Sequence, residues 1–145
     1  MKNSPIIVVD ADAIVAQASP SDSLHAKSAE VAILLVQHNA RVLYPVTAII
    51  EATTHIQRVL ANGQVAYSTV LAFIDSNINV VEVNQEIMKH ALQFFSSTTS
   101  KKNTFYDCIV AEIARKYKAD AIFSLDRFYK KNGFMLASEF IKTSI

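Results

Sequence analysis

The 145-residue chain is short of every residue that usually marks an unusual architecture: it has one cysteine, two glycines and three prolines. A single cysteine, Cys108, rules out an internal disulfide framework and fits a reducing compartment, so the cytoplasm is the expected location. So little glycine and proline, beside 51% hydrophobic residues, argues against disorder and low complexity. Charge of one sign is also lacking. The formal net charge is +1, so any nucleic-acid surface must come from local clustering and not from overall charge. Long apolar runs are missing too: Asp10 and Asp12 interrupt the one that follows Lys2, and no later stretch reaches the length of a bilayer span. The chain reads as soluble and unprocessed, with residues 1–145 forming one domain around one core.

What is present is alternation. Ile6 to Val9 form a β-branched run between Pro5 and Asp10, the pattern of a strand buried on both faces of a parallel sheet. Similar runs at Val42 to Tyr44, Ile78 to Val83, Ala121 to Leu125 and Phe134 to Ala137 bring the expected strands to about five. Helical spacing lies between them. Residues 22–39 carry Leu24, Ala29, Ala32, Leu35 and Val36 behind a Ser21 or Ser23 cap. "VTAIIEATTHIQRVL" sets Val46, Ile49, Ile50, Thr53, Ile56, Val59 and Leu60 on one stripe, with Asn62-Gly63 as its stop. "QVAYSTVLAFIDS", "NQEIMKHALQFFSST" and "NTFYDCIVAEIARKY" continue the series, and strands alternating with helices predict an α/β fold with a central, mostly parallel sheet flanked by helices. The polar stretch "FFSSTTSKKNTF" reads as a mobile loop between two helices, beside a site.

In open parallel sheets ligands bind beyond the carboxyl ends of the strands, so acids at those ends carry the functional weight. Asp10 follows the first strand and Asp126 follows "AIFSL". Glu51 and Asp107 sit early in helices that enter from the same end, close to apolar stripes where a solvated acid is out of place. Four acids from distant segments are thus expected on one rim. Carboxylates gathered in this way repel one another and favour a bound cation; Mg²⁺ or Mn²⁺ suits oxygen ligands and phosphodiester hydrolysis. Each acid alone has a blander reading as a helix cap or first-turn charge.

The segments "VVDADAIVA", "TAIIEATTHI" and "NTFYDCIVAEIARKYKADAIFSLDRFYKKNGF" resemble the PIN domain pattern, particularly that of the VapC-type toxin ribonucleases, and the resemblance spans nearly the whole chain. It implies a three-layer α/β sandwich, an acidic quartet of Asp10, Glu51, Asp107 and Asp126 holding Mg²⁺ or Mn²⁺ for RNA cleavage, a homodimer and an antitoxin partner. Ala11 and Asp12 depart from the Thr or Ser and the Asn or Ser common in the family at those places. Asp12 either adds to metal binding or caps the following helix, and Ser124 is placed to hydrogen-bond a carboxylate or a water. Lys101, Lys102, Arg127, Lys130 and Lys131, interleaved with Phe105, Tyr106, Phe128 and Tyr129, form a candidate surface for RNA phosphates and unstacked bases.

Two other readings compete. A haloacid-dehalogenase-like phosphohydrolase would use Asp10 as its nucleophile and Asp12 as acid-base partner, but Ala13-Ile14 stand where Gly-Thr is usual. A non-catalytic PIN-like module would bind RNA or a protein without metal. His25, His38, His55 and His90 lack metal-ligand spacing, Cys108 reads as an inward-packed small residue, and Arg115, Lys116 and Lys118 as a solvated helix end.

Overall fold

The computed structural model describes residues 3–74, 77–95 and 102–144. Its elements run β1 (Ile6–Val9), α1 (Ala11–Ala18), α2 (His25–Gln37), β2 (Arg41–Pro45), α3 (Val46–Arg58), α4 (Gly63–Ile74), β3 (Asn79–Val81), α5 (Gln85–Ala91), a 3-10 turn (Leu92–Phe94), α6 (Phe105–Lys116), β4 (Ala121–Phe123), α7 (Phe128–Lys131) and α8 (Ala137–Ser144). The sheet order is β3-β2-β1-β4, and every pairing is parallel.

The β-branched run of β1 earns its central place because it meets a strand on each side. Val8 pairs with Leu43 on one edge and Ile122 on the other, and Ile7, Val8 and Val9 are fully buried. From β1 the chain builds outward through β2 to β3, then returns to add β4 on the opposite side. The gap between the carboxyl ends of β1 and β4 is therefore the topological switch point, where α/β sheets place their ligands.

The expected fifth strand is a correction. Phe134 to Ala137 contribute one parallel bridge, Ile122 to Leu136, because Ala137 already starts α8. Strand β4 is also shorter than expected: it stops at Phe123, and Ser124 and Leu125 turn toward the Asp12 side chain on α1.

Helix surfaces differ from the apolar spacing in instructive ways. On α3 the buried stripe is Ala48, Ile49, Ala52 and Ile56, while Ile50, Val59 and Leu60 face outward. On α2 the buried residues are Ser28, Val31 and Leu35, one step round from the expected stripe, and Val36 is 75% exposed. That helix begins without a serine cap; Asp22 Oδ1 instead accepts from the Leu24 N–H at 2.8 Å. Asn62-Gly63 starts a helix instead of stopping one: Asn62 Oδ1 accepts from Val65 N–H at 3.0 Å, so α4 opens there, and the left-handed residue closing the α3 turn is Ala61. Helix α6 is buried on nearly every side from Asp107 to Ala114, Cys108 included. Arg115 is not merely a solvated helix end, for its guanidinium holds both oxygens of the fully buried Glu112, at 2.8 and 2.5 Å.

Candidate metal centre

Each acid of the expected quartet reaches the sheet's carboxyl edge from a different element. Asp10 ends β1: its N–H continues the ladder to the Phe123 carbonyl at 3.0 Å, and its side chain caps α1 by accepting from Ala11 N–H at 2.7 Å. Glu51 lies in the second turn of α3, directly beyond the end of β2 at Pro45. Asp107 sits in the first turn of α6, where its Oδ2 accepts from Thr104 N–H at 3.0 Å. One oxygen from each of Asp10, Glu51 and Asp107 lies within 4.8 Å of the others, which makes these three the group able to share a cation among the described residues.

Asp126 stands one link away from this triad. Asn103 Nδ2 donates to Asp126 Oδ2 at 2.9 Å and to Asp107 Oδ2 at 3.3 Å, bridging the two acids, while Asp126 Oδ1 accepts from Phe128 N–H at 2.9 Å and so initiates α7. Ser124 joins the other side. Its Oγ lies 3.1 Å from Asp10 Oδ2 and 3.0 Å from Asp12 Oδ2, and it accepts from Asp126 N–H at 3.1 Å. A hydroxyl has one proton, so the two carboxylates share a single donor. Asp12 Oδ2 also accepts from Leu125 N–H at 2.8 Å, which turns this side chain across to the β4 end. Asp12 therefore pins the turn after β4 to α1, and it is not disposed as the acid-base partner that a DxD phosphohydrolase needs.

Electrostatics follow from this crowding. Burial is the largest influence on Asp10 and holds its carboxyl well above the ordinary carboxylate range, with the charges of Asp12 and Asp107 adding to it. Glu51 is raised to about 7, first by burial and then by Asp107 and Asp12. Asp107 and Asp12 are raised by burial as well, with Asp126 adding to each. Four acids raised together is the signature of negative charge held without enough compensation, the condition that a hard divalent cation relieves. The donor set is all oxygen and carboxylate, which fits Mg²⁺ or Mn²⁺ and not a site built for soft metals.

Two neighbours of the site were not singled out for this role by the sequence. Asn103 precedes the cap of α6 in a stretch that looks like any polar loop, and nothing in its spacing marks it as a bridge. Tyr129 was expected among RNA-facing aromatics, yet it is fully buried, with its hydroxyl 3.4 Å from Asp107 Oδ1. Nothing in the basic surroundings of Tyr129, between Phe128 and Lys130, marks it as buried, although a buried tyrosine hydroxyl needs a partner. Lys102 and Arg127 are exposed beside the site, and Lys130, also exposed, pairs with Glu139 at 2.6 Å. Lys101 and most of the polar loop, residues 96–101, lie outside the described residues. The Cys108 thiol, buried behind Asp107, is pushed up to about 11 and stays protonated at neutral pH.

No helix among the described residues is long and apolar enough to cross a membrane. A comparison with curated proteins finds no match. Among solved structures, VapC20 of Mycobacterium tuberculosis, described as a sarcin-ricin loop cleaving toxin, superposes with a TM-score of 0.77 at 16% identity, covering 89% of this chain and 96% of that one. PAE2754 of Pyrobaculum aerophilum superposes with a TM-score of 0.59 at 21% identity, covering 96% of this chain and 94% of that one. These likenesses concern the fold. The sequence itself matches the PIN domain family over residues 7–134, a span that begins within β1 and takes in Asp10, Glu51, Asp107 and Asp126. With its sheet order, acidic edge and sequence in agreement, the chain belongs to the PIN domain family.

Proposed function

We propose that this protein is a divalent-metal-dependent ribonuclease of the VapC toxin type. The observation that carries the reading is the convergence of Asp10, Glu51 and Asp107 within 4.8 Å at the switch point of the sheet, two of them buried and all three raised in pKa. Asp10, Glu51 and Asp107 would hold Mg²⁺ or Mn²⁺. Asp126 acts beside them, its carboxylate oriented by Asn103 and by the α7 backbone. A bound ion of this class lowers the pKa of an attacking water and offsets charge on the phosphodiester.

The chain's own groups supply the rest. Ser124 keeps Asp10 and Asp126 in register by touching both at once, and Tyr129 orients Asp107 from beneath. The exposure of Lys102 and Arg127, next in sequence to Asn103 and Asp126, supports a role for them in meeting RNA phosphates, which supply affinity without sequence choice. An RNA substrate, a cytoplasmic location and an antitoxin that covers this rim belong to the same reading, supported by the family and by the fold shared with VapC20. A homodimer belongs to it too. The observation in its favour is the outward stripe of Tyr67, Val70, Leu71 and Ile74 along α4, at helical spacing and suited to a second copy of itself.

The test is Mn²⁺-supported cleavage of a panel of structured RNAs by the wild type and by Asp10→Asn. Cleavage by the wild type that collapses in the variant is expected; equal cleavage by both would show that the activity arises elsewhere.

A further inference from the structure

A cavity of about 400 Å³ opens beside the acidic triad, sharing Glu51 with it and adding Asp12 to its lining. Its size falls in the range of small-ligand sites. Val15 and Ala16 of α1, Leu24 before α2, Ala52 of α3 and Leu125 after β4 give it an apolar interior, and Asp22, Glu51, Asp12 and His55 stand at its polar positions. The wall formed by the α1 to α2 connection is held in place, because His25 Nδ1 donates to the Ala16 carbonyl at 2.8 Å. Asp22 spends Oδ1 on the Leu24 N–H and leaves Oδ2 for another donor. Asp12 Oδ1 is buried without a hydrogen-bond partner. The polar groups are thus mostly acceptors, set around flat-sided aliphatic walls next to the place where a phosphodiester would be cut.

Resting on the ribonuclease reading above, we propose that this cavity is a base subsite that takes the unstacked nucleobase adjoining the scissile phosphate and selects guanine. Single-stranded RNA is read by splaying a base out of its stack and hydrogen-bonding its Watson–Crick edge. Guanine presents N1–H and the N2 amino group side by side, a donor pair that a carboxylate accepts with both oxygens or two neighbouring acceptors accept singly. Uracil presents one N–H between two carbonyls, and those carbonyls face the same acceptors with no proton to share. Aliphatic walls contribute to every base alike, so the choice lies in the edge.

The experiment uses the full chain, isotope-labelled, with Mg²⁺ present throughout, titrated with 5′-GMP, 5′-IMP and 5′-UMP while amide shifts are followed by NMR. The phosphate is common to all three, so shifts near Asp10 and Asp107 report the metal centre, and shifts at Val15, Leu24 and His55 report the cavity. The expected result is saturation of the cavity shifts by GMP at a concentration about fivefold or more below that for UMP, as a bidentate edge contact provides. IMP, which lacks the N2 amino group, should fall between them. Asp22→Asn keeps a carbonyl oxygen for Leu24 N–H but turns the other position into a donor; it should erase the GMP advantage and leave UMP unchanged. Equal affinities for the three nucleotides, or base-dependent shifts confined to another surface, would overturn the subsite. Cleavage assays separate this outcome from the parent reading: RNA cut in a metal-dependent way with no base preference sinks the subsite alone, and guanine binding with no cleavage sinks the ribonuclease.

Discussion

At the scale of single residues, the acids of this edge are raised first by burial and then by one another, and this has consequences of definite sign. Asp10 is buried and raised by burial, Asp12 and Asp107. Asp10→Asn removes one of the repelling charges, so in metal-free buffer the variant should melt at or above the wild-type temperature while losing Mn²⁺-supported cleavage by on the order of a hundredfold or more. A variant that both unfolds and fails to cleave would assign Asp10 a structural role only. Glu51 supplies a pH prediction. Its carboxyl is raised to about 7 from an ordinary value of 4.5, so the folded protein binds more protons than the unfolded chain between those limits. Stability without metal should then be highest below about pH 4.5 as far as this group is concerned, and decline as pH rises toward about 7. Mn²⁺ competes with the same protons, so its affinity, followed by calorimetry, should strengthen across pH 6 to 8; a flat profile would remove Glu51 from the metal site.

At the scale of elements, the junction between α3 and α4 gives a common stop signal the opposite role. Asn-Gly ordinarily marks a helix end, but Ala61 already occupies the left-handed conformation, so the glycine is left free to begin the next helix. Asn62→Ala should cost about 1 kcal/mol by removing the cap to Val65. Gly63 meets nothing within 4 Å where a Cβ would stand, and Gly63→Ala should stabilise by roughly 0.4–1 kcal/mol. Chemical denaturation of both variants checks the pair; a destabilising Gly63→Ala would mean that α4 does not start where the backbone places it. The end of β4 has the opposite character. Three apolar residues form strand, and the next two leave it because Asp12 binds the Ser124 hydroxyl and the Leu125 N–H, a contact between residues more than a hundred positions apart.

At the scale of the whole molecule, the parallel order β3-β2-β1-β4 brings every strand's carboxyl end to one edge, and with it the acids that follow β1 and β4 and those that open α3 and α6. On the surface, the outward stripe of α4 is the feature that a second copy would cover. Leu71→Lys should shift the sedimentation of the protein toward monomer without lowering Mn²⁺ affinity, since α4 contributes nothing to the acidic triad. A wild type that sediments as a monomer at all concentrations would remove the dimer from the proposed function.

Much of this was legible in one dimension. Strand-helix alternation is written in periodicity, and an acid placed directly after a buried β-branched strand is a local pattern, so the α/β class, the place of β1 and the candidacy of Asp10 and Asp126 could be read without coordinates. Side-chain burial on amphipathic helices was less legible, because Ile50 and Val36 have the composition of core residues and face outward only by the rotation that packing imposes. Distances between segments could not be read at all. That Glu51 joins Asp10 and Asp107 while Asp126 is reached through Asn103, that Tyr129 lies beneath the site, and that Asp12 crosses to the end of β4 depend on how four segments meet at one edge. Sequence spacing sets which residues are available to the sheet's carboxyl end. Only the packing of α3 against α1, β2 and α6, and of α6 against β1, decides which oxygens come close enough to repel, and hence where a cation has reason to bind.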